Sequence, residues 1–179
     1  MAAFLWIFWS FSFLGWVLER LFAAVTRSPR RRRRCLLLLP LCPVYGLGMA
    51  AVLALPPSLR SGWPLYLWGG LTATSVEYIY HWWGETFLGV SFWDYTGVFG
   101  NFRGRVCLPF SLAWGLLLFP AVYLVTPPVL ALADRVPVGV TWWLLLAFTA
   151  DAVCSLRFLA VTHDLEALRA VIWPVSADR

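Results

Sequence analysis

The 179-residue chain contains no lysine: all 14 of its basic residues are arginine. A phosphate-binding loop of the G-x-x-x-x-G-K-[ST] type needs that lysine to reach the phosphates, so the chain is not itself an ATPase. Schiff-base chemistry and a lysine general base fall with it. H-E-x-x-H and G-x-S-x-G are absent as well, and no two aspartates have the spacing of an aspartyl dyad. Charge of either sign is scarce, at 13% of residues, where soluble domains carry roughly a quarter. Cysteine is limited to Cys35, Cys42, Cys107 and Cys154, whose spacings with His81 match no zinc pattern. These absences assign no cofactor, no metal site and no catalytic residue. No basic patch is interleaved with soluble surface, so nucleic acid is not an expected partner.

What the chain has instead is apolar length. It is 61% hydrophobic with 12 tryptophans, and its mean hydropathy is +0.75. A membrane span needs roughly 20 apolar residues, and five stretches qualify, at 2–26, 35–56, 63–83, 106–126 and 138–160. The expectation is an all-α, polytopic helical membrane bundle, a single integral-membrane domain over 1–179. Short links make neighbouring helices antiparallel. Residues 84–105 form a motif-bearing loop, re-entrant or interfacial, and 163–179 a short amphipathic tail. The first stretch has no basic residue before it and is followed by Glu19-Arg20 and an arginine run, which suits a retained helix better than a signal peptide. Pro40 and Pro43 should break or kink the second span.

Arginine in short links marks the cytoplasmic side. The 27–34 link holds six arginines, the 84–105 link Arg103 and Arg105, and the tail Arg169 and Arg179, against Arg60 and Arg135 in the opposite links. This places the N-terminus outside and the C-terminus in the cytoplasm of a multi-pass protein of the inner or plasma membrane. The run Arg30–Arg34 can also attract anionic lipids of the bilayer, at about 1 kcal/mol per residue. The cysteines fall toward the cytoplasmic half, where thiols stay reduced.

Ionisable groups inside a span cost about 2.5–3.5 kcal/mol each on insertion scales. Ser12, Gly15 and Glu19 nonetheless make one polar stripe at helical spacing, and Gly70, Thr74, Glu77 and His81 make another. The fifth span carries Asp151 and Ser155, read as a partner for a neighbouring helix. The loop Ser91–Cys107 adds aromatic rings, three glycines, Asp94, Asn101, Arg103 and Arg105. Glu19, Tyr45, Glu77, Asp94, Tyr95, Asn101 and Arg105 are the candidate substrate-binding residues, expected at one depth around a polar cavity open to the cytoplasm. Glu77 is the pivotal charge and Arg105 its expected counterpart. Asp94 can equally cap the start of a short helix, and His81 reads as interfacial.

Gly15-Trp16-x-x-Glu19, Cys42-Pro43-Val44-Tyr45-Gly46-x-Gly48, Glu77-Tyr78, Trp93-Asp94-Tyr95, Asn101-x-x-Gly104-Arg105-x-Cys107-Leu108 and Trp114-Gly115 follow one another over residues 12–116. In that order and spacing the chain resembles the small membrane proteins described as ABC-transporter type IV, or CmpB-like. Leu39-Pro40 stands where that pattern has a Gly-Pro pair. The resemblance implies a permease-like transporter, with a separate ATPase or a second copy of the chain as partner and the 84–105 loop as the docking surface. The expected function is to bind or move a small polar or amphiphilic solute. Two other readings stay open: an intramembrane enzyme acting on a lipid-linked substrate, with Glu77 or Asp94 as base, and a non-catalytic scaffold.

Overall fold

The computed structural model describes residues 2–26 and 35–170. The arginine run 30–34 and the end of the amphipathic tail lie outside the described residues, and with them the proposed lipid contact. Helix α1 spans Ala2–Thr26. Helix α2 is Pro43–Leu53, and α3 is a continuous helical run over 62–88 that contains two π-turns, Leu65–Gly69 and Gly84–Leu88. Helix α4 is Leu108–Ala133, α5 is Val138–Thr162 and α6 is Leu165–Ala170. In α4 the ring of Pro120 removes a backbone donor, and a π-turn follows at Ala121–Val125. The Thr126 hydroxyl donates to the Ala121 carbonyl there at 2.8 Å.

The bundle is helical and polytopic, but its spans are unequal. By length and composition Ala2–Val25, Leu108–Ala133 and Val138–Thr162 can each cross a membrane. Helix α3 is long enough and carries Glu77, His81 and Glu85. The second span, expected at 35–56, is helical only over the 11 residues of α2, about 16 Å of rise, or half the hydrocarbon thickness. Pro40 and Pro43 explain the break, since neither can donate a helical hydrogen bond.

The unwound chain at 35–42 is not left unsatisfied. The Leu38 and Leu39 amides donate to the two carboxylate oxygens of Asp151, at 3.1 and 2.9 Å. The Cys42 amide donates to the Ser12 carbonyl at 2.9 Å. Irregular backbone at membrane depth is tolerated where protein satisfies it in this way. Leu36, Leu37 and Cys42 are buried in the process.

Glycine lets the helices approach. A Cβ at Gly46 would collide with the Phe8 carbonyl and the Ser12 hydroxyl, so α1 and α2 touch backbone to backbone. One at Gly70 would sit 3.2 Å from the Gly115 Cα, which marks the α3–α4 crossing as a small-residue contact. Helix α5 lies at the edge, joined through Trp6 Nε1 to the Thr141 hydroxyl at 3.1 Å and by Phe8 against Phe148. Leu116, Leu124, Trp143, Leu146 and Val161 are exposed on α4 and α5, a surface that suits hydrocarbon rather than water.

One packed cluster, around Ile7, Phe11, Met49, Val52, Leu65 and Leu118, fills the end of the bundle away from the loop. The other, around Tyr80, Phe92, Trp93, Tyr95 and Leu159, lies beneath the loop. The loop folds back because its aromatic residues are drawn inward: Phe92, Trp93 and Tyr95 are all buried. It closes in a two-stranded hairpin, β1 (Asn101–Phe102) against β2 (Val106–Cys107), with Asn101 opposite Cys107. The reversal between them runs through Arg103 and Gly104, both at positive φ.

Candidate functional site

Between α1, α2, α3 and α4 lies a cavity of about 240 Å³. Its walls are mostly apolar, from Phe11 and Leu14 on α1, Val44 and Met49 on α2, Ala73 on α3 and Leu117 on α4. Leu14, Leu18 and Leu117 at its rim are about 40% exposed, so the mouth opens through an apolar face of α1 and α4. The cavity expected from the sequence was polar and open to the cytoplasm. The observed walls are apolar because the small residues Gly15, Gly48 and Ala73 make the space, and leucines, valine and phenylalanine close it.

Glu77 is the one ionisable carboxylate among the lining residues, and only 1% of it is exposed. Trp114 Nε1 donates to its Oε2 at 2.7 Å, and the Tyr95 hydroxyl donates to its Oε1 at 3.1 Å. The loop thus reaches the cavity through Tyr95, which is 1% exposed. Tyr45 stands at the mouth with its ring 5.0 Å from that of Trp114, edge to face. Its hydroxyl donates to Glu19 Oε1. Gly15 holds the Tyr45 ring so closely that a Cβ there would overlap it.

Of the seven sequence candidates, Glu19, Tyr45, Glu77 and Tyr95 belong to this hydrogen-bonded group. Asp94 and Asn101 do not. Asp94 is exposed and accepts from the Thr96 amide at 2.8 Å. Hydrogen bonds from the Thr96 side chain and amide hold its carboxyl below the usual carboxylate range. Asn101 is exposed too: its amide donates to the Val98 carbonyl at 3.0 Å and its Oδ1 accepts from Gly104 N at 3.3 Å. Both side chains shape the loop, which is the duller of the two roles a short polar side chain beside a turn can take.

Arg105 is not the counterpart of Glu77. Its Nε donates to Glu85 Oε2 at 2.7 Å, and another guanidinium nitrogen donates to the Tyr78 hydroxyl at 2.8 Å. The Glu85 bond, with Tyr78 second, holds the guanidinium above its ordinary pKa. Glu85 also contacts His81 Nε2 at 3.1 Å and accepts from the Ser91 hydroxyl at 3.3 Å. The sequence reading missed Glu85, although it follows Glu77 and His81 at the same four-residue step. Trp114 was named only as part of the family motif, and its indole N–H donates to the cavity carboxylate.

Several of the residues that carried the family resemblance meet here. Gly15, Tyr45, Gly48, Glu77 and Trp114 all line the cavity, and Glu19 and Tyr95 bond to two of them. A family model described as "Putative ABC-transporter type IV" matches residues 6–156. No curated protein and no solved structure matches the chain.

Proposed function

Since the chain belongs to the ABC-transporter type IV family, we propose that it is a permease-like membrane protein whose cavity takes an amphiphilic solute with a cationic head. The observation that carries this reading is a buried carboxylate, Glu77, in an otherwise apolar cavity whose rim is formed by exposed leucines. The hydrocarbon part of such a solute fits Leu14, Val44, Met49 and Leu117. Each buried methylene contributes about 0.8 kcal/mol. The ammonium would meet the Glu77 carboxylate in a low-dielectric site, where charge pairing is stronger than in water. Entry is from the bilayer, and the arginine distribution supports a C-terminus on the cytoplasmic side. Arg105, the guanidinium that the sequence offered for an anionic headgroup, is engaged by Glu85 and Tyr78.

The test uses the purified protein in lipid nanodiscs and three single-chain amphiphiles of equal length, bearing an ammonium, a sulfate or a sugar head. Saturable binding of the alkylammonium is expected, with the alkyl sulfate excluded. Glu77→Gln should weaken alkylammonium binding about tenfold or more, since a hydrogen bond to a charged group contributes about 1.5–3 kcal/mol. Equal binding of ammonium and sulfate, or binding no greater than bilayer partitioning, would refute the reading.

A further inference from the structure

Three titratable residues stand at four-residue spacing on α3, Glu77, His81 and Glu85. Residues four apart on a helix share a face, with Cβ atoms roughly 5–6 Å apart, so the three form a file along one side. Exposure rises along it: Glu77 is 1% exposed, His81 2% and the Glu85 side chain 33%. Its deep end is the cavity carboxylate. Its shallow end is bonded by Ser91, which is exposed, and by Arg105.

We propose that this file carries protons between the water at the loop and the Glu77 carboxylate, so that occupancy of the cavity is coupled to proton uptake. His81 supplies the second observation. Its Nε2 lies 3.1 Å from Glu85 Oε1, while its Nδ1 is fully buried and has no hydrogen-bond partner. A buried polar atom left so costs about 1–3 kcal/mol, and its presence calls for a reason. A ring joined to a carboxylate at one nitrogen, with the other free one turn from a second carboxylate, has the form of a relay. One water at Nδ1 would complete the file.

The proton balance closes. Neutral His81, its Nε2 hydrogen donated to the Glu85 carboxylate, accepts at Nδ1 the proton released by the Glu77 acid and becomes imidazolium. It then gives up the Nε2 proton to Glu85, which passes it to water, and His81 is left neutral with its hydrogen on Nδ1. Uptake is the reverse: protonated Glu85 returns a proton to Nε2, the Nδ1 proton passes to Glu77, and the first tautomer is restored. The charged groups that act on His81 are Glu85 on its own helix and Arg105 and Asp94 from the loop, and Glu77 stands four residues before it on the helix. Tyr95 and Tyr78 bond to members of the same file or to its partner Arg105. The rings of Trp93, at 4.7 Å, and Phe92 wall His81 from bulk water. Water therefore reaches it through Glu85.

The inference rests on the proposed cavity only for the role of Glu77. Infrared difference spectra after rapid acidification follow the carboxylic-acid band, assigned to Glu77 by its loss in Glu77→Gln. In His81→Asn and, independently, in Glu85→Gln the band should reach its wild-type amplitude at least about tenfold more slowly. Added imidazole or formate should restore the rate in both, which a merely structural defect would not allow. An unchanged rate in both variants, or no Glu77 band in the wild type, would overturn the relay. Loss of alkylammonium binding specificity with this band intact would count against the solute and leave the relay standing.

Discussion

Asp151→Ala is expected to unravel the junction between α5 and the unwound chain at 35–42. The carboxylate accepts the Leu38 and Leu39 amides at 3.1 and 2.9 Å and the Ser155 hydroxyl at 3.0 Å. Alanine would remove the acceptor of these donors; the Leu38 and Ser155 bonds are half-buried and the Leu39 bond exposed, so each costs about 1 kcal/mol. The expected loss is about 2–3 kcal/mol, within the usual range for single substitutions. Asp151→Asn keeps one acceptor oxygen but turns an amide nitrogen toward a backbone donor, so an intermediate loss is expected. Detergent melting measures the loss, and thiol labelling locates it: Cys42, 3% exposed in the native fold, should become reactive in Asp151→Ala. Native melting with Cys42 still protected would show that the segment is held by other contacts.

Glu77 should separate stability from binding according to its replacement. Trp114 Nε1 can only donate, whereas the Tyr95 hydroxyl can donate or accept. In Glu77→Gln the side-chain oxygen can therefore keep Trp114 while its amide donates to Tyr95. The fold should melt within about 1 kcal/mol of the native protein, with alkylammonium binding lost. Glu77→Leu leaves the indole N–H and the phenol without this partner, so a loss of about 2–4 kcal/mol is expected. Melting curves of the two variants, measured side by side, check the difference. Equal destabilisation would mean that Glu77 serves the fold through its charge.

The helical bundle was legible because apolar length is a one-dimensional signal. The interruption of the second span was legible from Pro40 and Pro43. Its extent was not, because the acceptor that stabilises the unwound chain, Asp151, lies 113 residues beyond Leu38. Glu77 stood out as an interior charge, and Tyr45 and Tyr95 stood out by their motifs. The partner of Glu77 did not. A search limited to cations pointed to Arg105, which goes to Glu85, while Trp114 and Tyr95 donate to the carboxylate. Asp94 and Asn101 were drawn into the candidate site by proximity to Tyr95 in sequence. In the folded loop Tyr95 turns into the bundle and its neighbours turn to the surface, which is the alternation an extended segment imposes. The character of the cavity was hidden for a related reason. Gly48 and Ala73 line it, and in a sequence a small residue that makes room looks the same as one that permits close packing.

Gly48 offers the most direct measurement of whether the cavity is the binding site. It is helical and buried, and a Cβ built on it meets no atom within 4 Å. Gly48→Leu should therefore fill the space without disturbing a neighbour, and it removes a glycine that costs a helix interior about 1 kcal/mol. Melting and alkylammonium binding are to be measured on the same preparation. The account predicts melting equal to or above that of the native protein with binding abolished; retained binding at native affinity in a stable Gly48→Leu protein would contradict it.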